Sequence, residues 1–309
     1  MIVWLSYRLF SGVSWLIVLL ALPVITHAQN SGVSISPAFQ EVIVTPEAPQ
    51  QPFTVRLTNN TAVEQTVRLS VLDFGQLQES GGIAFLGTDI RSLEQKYGLA
   101  SWLSLERDVL SISPGETAEL TTTIINKESL SPGGHYAALV ATFSDEQDVV
   151  EENVSLQQAL SSLVFVRKVG GEVYGLTVAG VQTDTAWLSL PTTVQIRFHN
   201  NGNVHVVPRG RVEVRDAGDR LVAKGIINEA SALVLPESFR VLPVDIKEFV
   251  SPFRLRPGQY RLVVDYRYDG NEVFTREEQS FLYLGTATLA TGLLLLLGVL
   301  SILKKLFIK

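Results

Sequence analysis

The chain has 309 residues, with 25 Lys and Arg against 31 Asp and Glu, a formal net charge of −6, and no cysteine. An acidic chain argues against nucleic acid, heparin-like chains or anionic wall polymers held by bulk charge. Without cysteine there are no disulfides or thiolate metal sites. Stability must come from hydrophobic cores, and the length suits about two domains.

The first element is apolar. Arg8 is the only charge before Glu41, and Leu9 to Ile25 is rich in Leu, Val, Ile and Trp. Thr26 and Ala28 put small residues at the −3 and −1 positions of a cut after Ala28, and Pro23 breaks the apolar run five residues before it. This order predicts a secretory signal peptide over 1–28, with an uncleaved anchor as the alternative.

From Val33 onward, short alternating runs are broken by Pro, Gly and Asn. Thr54-Val55-Arg56-Leu57-Thr58 alternates polar and apolar, as do Thr66 to Leu72 and Thr117 to Ile125. Turn signals about every 8–12 residues mark a β-sandwich. The best helical spacing is Asp89 to Tyr97, with Ile90, Leu93 and Tyr97 on one face. The acidic stretch Ser144 to Asn153 holds five carboxylates but lacks the ordered spacing of a calcium loop, so it reads as a solvated hairpin tip. Leu160 to Val169 reads as the last strand of a first domain, and Gly170-Gly171 as the boundary.

The two halves match. Val55 to Thr61 resembles Ile196 to Gly202, each a strand ending in an Asn-Asn turn. Leu130-Ser131-Pro132-Gly133-Gly134-His135-Tyr136 resembles Leu255-Arg256-Pro257-Gly258-Gln259-Tyr260, a Pro-Gly turn feeding a Tyr-led strand. The landmarks lie 77 residues apart in the first half and 60 in the second, which places an insertion near 75–101. The fold class is therefore all-β: two tandem immunoglobulin-like β-sandwiches over 29–169 and 170–280.

After Glu278 there is no charge until Lys304. Phe281 to Leu303 would span about 34 Å as a helix, against a hydrocarbon core of about 30 Å. A single transmembrane helix over 281–303 and a basic cytoplasmic tail over 304–309 are expected, which would place the protein in the cell membrane with its sandwiches outside. Removing Arg8 and the three tail lysines leaves 21 basic residues against 31 acidic ones in that outer part, a net of −10.

Enzymatic motifs are absent. The histidines outside the signal are His135, His199 and His205, and there is no nucleophile elbow, phosphate loop or His-Glu-x-x-His. His199 and His205 flank one turn, and two histidines without a third ligand are not a diagnostic metal site. No cofactor is expected. Trp102 and Trp187, each followed by Leu-Ser-Leu, read as core or strand-edge residues. The insertion is the candidate binding surface, through Phe85, Leu86, Ile90, Leu93 and Tyr97, because loops on a rigid sandwich carry recognition.

The sequence resembles a family. Val33-Ser34-Ile35-Ser36-Pro37, the Asn-ending strand, Trp102 followed by Ile112-Ser113-Pro114-Gly115-Glu116, the Pro132 to Tyr136 turn and Leu160 to Val166 look like the WxL-interacting proteins of bacterial cell surfaces. The first domain also resembles the amino-terminal domain of pilus chaperones. The WxL resemblance implies peptidoglycan binding by the first domain and host or partner protein binding by the second. The second domain departs most, at Asn200 to His205 and Pro208-Arg209-Gly210. The expected function is a non-enzymatic surface scaffold that engages peptidoglycan or a surface protein. The alternative is a tethered chaperone for secreted subunits.

Overall fold

The computed structural model describes residues 32–48, 50–85, 95–125, 130–144, 159–184, 187–251 and 254–307. The signal peptide, the acidic stretch from Asp145 to Asn153, and Leu86, Ile90 and Leu93 lie outside them.

The described chain is all-β apart from two single 3-10 turns and one helix. In the first sandwich, one sheet contains β1 (Val33–Ser36), β3 (Gln50–Asn59), β8 (Thr117–Ile125) and β6 (Leu103–Leu105), in the order β1-β3-β8-β6. The facing sheet contains β2 (Phe39–Val44), β10 (Ala159–Lys168), β9 (Gly133–Ser144), β4 (Gln65–Leu77) and β5 (Gly82–Phe85), in that order, with β7 (Val109–Ile112) on β4. The chain changes sheets at Pro37, a residue with no N–H to give a ladder. β1 pairs antiparallel with β3, and β2 then runs parallel to β10.

In the second sandwich, β11 (Thr177–Thr183), β12 (Thr193–His199) and β15 (Phe239–Asp245) form a three-stranded sheet. It faces β16 (Lys247–Glu248), β14 (Leu221–Ile227), β13 (Arg209–Arg215), β17 (Gly258–Tyr268) and β18 (Asn271–Tyr283). Alternation sets both cores. In β12, Val194, Ile196 and Phe198 point inward, and in β3 so do Phe53, Val55 and Leu57. Each such side chain contributes about 1.5–3 kcal/mol by burial.

The matched Asn turns are buried anchors. Asn59 donates from Nδ2 to the carbonyls of Val63 and Ile112 at 2.8 and 2.9 Å, and its Oδ1 accepts the Thr61 N–H. Asn200 donates to the carbonyls of Val204 and Val234 at 2.7 and 2.9 Å, and accepts the Gly202 N–H. In each sandwich one amide side chain closes its own turn and ties it to a neighbouring segment.

The matched Pro-Gly turns align differently from the Tyr-on-Tyr match. Tyr260 lies three residues after Pro257, points into the core, and donates its hydroxyl to the Arg256 carbonyl at 2.8 Å. Three residues after Pro132 comes His135, whose Nε2 lies 2.9 Å from the Ser131 carbonyl. His135 therefore holds the place of Tyr260, and Tyr136 falls on the opposite face of its strand.

The C-terminal expectation is corrected. Phe281, Leu282 and Tyr283 are strand residues, in register with Tyr260, Gln259 and Gly258. The helix α1 (Thr286–Phe307) begins only after them, so Phe281 to Leu303 is not one continuous helix. Among the described residues no helix is long and apolar enough to cross a membrane. This overturns the expectation of a single-pass cell-membrane protein with an external region and a cytoplasmic tail. The helical spacing expected up to Tyr97 is a 3-10 turn at Gln95–Tyr97 in its described part.

Candidate functional site

The sheet containing β2, β10, β9 and β4 is apolar on both faces. Val164 and Val166 of β10 enter the first core, while Leu163, Phe165 and Arg167 alternate onto the outer face. Phe74, Tyr136, Ala138 and Val140 join Phe165 there as a separate buried cluster. A sheet apolar on both faces needs a second cover, and the second sandwich supplies it. Its loops at Val206 and Val234 pair through backbone bonds of 3.1 and 2.8 Å, and Leu233 and Leu235 pack on the cluster.

His205 packs against the same cluster. Its ring is edge-on to Tyr136 and Phe165, with centroids 5.7 and 5.4 Å away. The Tyr136 hydroxyl accepts the His205 backbone N–H at 3.0 Å and lies 3.2 Å from Nδ1. One hydroxyl thus meets both the backbone and the ring of His205, and the other ring nitrogen, Nε2, lies 3.7 Å from Glu41 Oε1. Burial holds the His205 pKa below the usual imidazole value, partly opposed by the Glu41 charge.

Close backbone approach fixes the joint. Gly134 donates its N–H to the Asn203 carbonyl at 2.7 Å, and Asn203 Nδ2 reaches the carbonyls of Pro132 and Gly171. A Cβ on Gly134 would sit 2.1 Å from the Tyr136 hydroxyl, so only glycine fits beside that ring. On the far side, the β4–β5 hairpin docks on the edge of β15. Val241 donates its N–H to the Glu79 carbonyl at 2.8 Å, and Arg197 grips the Glu79 carboxylate at two points, 2.7 and 2.6 Å. Gln76 bonds the Phe239 carbonyl and the Ser238 hydroxyl, and Lys96 pairs with Glu237.

Between these two joints lies an open groove of about 760 Å³. Phe39, Ile83, Leu163 and Leu235 are among its apolar lining, and Phe39 and Ile83 are exposed. It holds three arginines and two carboxylates. Arg167 lies 3.4 Å from Glu41, and Arg209 bonds Asp269 at 2.8 Å. The charged groups of the groove are largely engaged with one another, and no proton-transfer relay is laid out along it.

Of the sequence-derived candidates, Phe85 and Tyr97 are described, and neither lines the groove. Phe85 is exposed on β5, next to Phe74 in the ladder. Tyr97 is half-buried against the outer-face cluster. Leu86, Ile90 and Leu93 lie outside the described residues. His199 stacks on Phe239 at 4.2 Å while His205 enters the first sandwich, so the two serve different contacts. His135 is buried and stacked on Trp102, and burial lowers its pKa. These three histidines are thus each packed against an aromatic ring. Trp187 is exposed.

Arg167, Phe39 and Arg240 were not singled out by sequence, and His205 was noted only beside His199 as a turn-flanking pair. The one available signal was the outward alternation of Leu163, Phe165 and Arg167 on a strand whose other face was also apolar.

No protein-family profile and no curated protein matches the chain. Solved structures similar to it include a class 5 fimbriae chaperone, CfaA, at 11% identity and a TM-score of 0.43, covering 82% of this chain and 99% of that one. The Escherichia coli chaperone DraB is similar at 14% identity and a TM-score of 0.37, over 80% of this chain and 95% of that one. A PapD-like domain of human CEP192 is similar at 11% identity and 0.32, over 49% and 94%. At these values no residue and no activity is carried across from them.

Proposed function

We propose that this is a non-enzymatic binding protein that holds an extended segment of a partner protein in the groove between its two sandwiches. The observation that carries this reading is the outer face of the β2-β10-β9-β4-β5 sheet. That face is apolar, capped at its centre by the second sandwich, and open beside the cap at Phe39, Leu163 and Ile83. An apolar floor with a few fixed charged groups is the usual make-up of a recognition site.

The strand edges add to it. β2 covers β10 only from Leu163 to Lys168, so among the described residues Ala159 to Ser161 have no strand partner on that side. An added strand could pair there while its side chains reach the groove. A subunit awaiting assembly, as the names of the similar chaperones suggest, is one form of such a partner. The groove supports this reading, and the likeness does not.

The test is a selection of displayed random peptides on the whole chain, repeated with Leu163→Asp, and with insoluble peptidoglycan as a parallel bait. Enrichment of alternating apolar sequences that Leu163→Asp abolishes would bear the proposal out. Retention on peptidoglycan with no peptide selected would sink it in favour of the wall-polymer expectation.

A further inference from the structure

The groove charges do not balance. Of its three arginines, Arg167 faces Glu41 and Arg209 faces Asp269, each on the opposite side of an ion pair. Arg240 remains. Among the described residues it has no carboxylate partner, although the chain as a whole is acidic. Its Nη1 donates to the Leu233 carbonyl, and its Nε is buried with no hydrogen-bond partner. Burial alone lowers its pKa, as expected for a guanidinium with no compensating charge.

The position is built. Gly81 has φ +87°, and a Cβ there would meet the Arg240 guanidinium at 2.2 Å. The hairpin thus presents bare backbone to the flat face of the guanidinium, and the Leu233 carbonyl fixes one edge. A half-buried cation held in this way costs desolvation that a bound anion would recover.

We infer that Arg240 is the recognition site for a carboxylate carried by the segment bound in the groove, namely the side chain of an Asp or Glu flanked by apolar residues. The inference rests on the groove-binding reading above. The guanidinium keeps N–H donors beyond the one given to Leu233, and a carboxylate is their complementary acceptor. The groove is open along its mouth, so a chain can pass through it and need not end there. Arg240 lies against the β4–β5 hairpin at Gly81, and Phe39 lines the groove from β2. The preferred ligand therefore has an acidic side chain at one end of a short extended run and an apolar one near the other.

The experiment uses the full chain and a set of nine-residue peptides, acetylated and amidated, in which one Glu is moved through an alternating Val-Thr background. Gln replaces Glu in a matched set, and a neutral peptide with a free C-terminal carboxylate is a third arm. Binding is read by fluorescence anisotropy. At the best position the Glu peptide is expected to bind about tenfold or more tightly than its Gln twin. Arg240→Gln should bring the twins within about twofold of each other, and Arg240→Lys should keep part of the preference. An unchanged thermal transition will show that both variants fold.

Equal binding of the twins to the unaltered chain would overturn the carboxylate site and leave the groove reading standing. A preference that survives Arg240→Gln would overturn the assignment to this residue. A gain seen only with the free terminus would overturn the side-chain commitment. If no peptide bound at all, the site and the groove reading would fall together.

Discussion

The single hydroxyl of Tyr136 in the first sandwich serves two atoms of His205 in the second, accepting its backbone N–H at 3.0 Å and sharing a hydrogen bond with Nδ1 at 3.2 Å. Tyr136 is buried and the His205 side chain is only 9% exposed, so these bonds are largely shielded from water. Removing the hydroxyl leaves a buried N–H and a buried ring nitrogen without partners. Tyr136→Phe should cost about 1–3 kcal/mol, with little change in the shape of the ring. Chemical denaturation of the whole chain would measure it; a loss under about 0.5 kcal/mol would mean water replaces the hydroxyl.

The joint should also respond to acid. Burial depresses the pKa of His205 and of His135. The folded protein therefore binds fewer protons than the unfolded chain just below the ordinary imidazole pKa. The stabilisation is complete above about pH 6.5 and is lost as pH falls from there. Each group contributes at most about 1.4 kcal/mol per pH unit. Melting from pH 8 to 5 should show this fall, and His205→Gln should flatten it. The same slope in the variant would place the effect elsewhere.

Asn59 and Asn200 should prove equally intolerant of change. While fully buried, the Asn59 side chain makes four internal bonds and that of Asn200 three. Truncation to Ala strands a turn amide and two carbonyls, at a cost of roughly 2–4 kcal/mol. Separate unfolding transitions, if calorimetry resolves them, should shift in the first sandwich for Asn59→Ala and in the second for Asn200→Ala.

The Arg197–Glu79 pair should matter less, despite its two-point geometry. Its side chains are 39% and 41% exposed, and solvent screens such pairs. Glu79→Gln is expected to lower the transition temperature by under about 2 °C, less than Tyr136→Phe does. The difference should shrink further in high salt.

The alternation of Val55 and Leu57, or of Val194, Ile196 and Phe198, settled by itself that the chain is built of sandwiches, because a period of two leaves only one way to bury those side chains. The Asn-Asn turns were equally legible, since an amide that closes a turn is a local device. Most of what failed or went unseen depended on distance. Tyr136 and Tyr260 look alike in sequence, yet counting from the proline puts them on opposite faces, and a one-residue offset sends one ring into a core and the other into a domain joint. Phe281 to Tyr283 read as the start of a long apolar helix, but β17 offers them an edge to pair with, and a ladder partner outweighs local hydropathy. His205 stood out in sequence only as a turn residue paired with His199, because the groups that bury it lie on β2, β9 and β10 of the other sandwich. The groove with Arg240 is wholly a tertiary product: local sequence chose which side chains face outward, and only the docking of the two sandwiches decided which of them would be covered, paired or left facing an empty cleft.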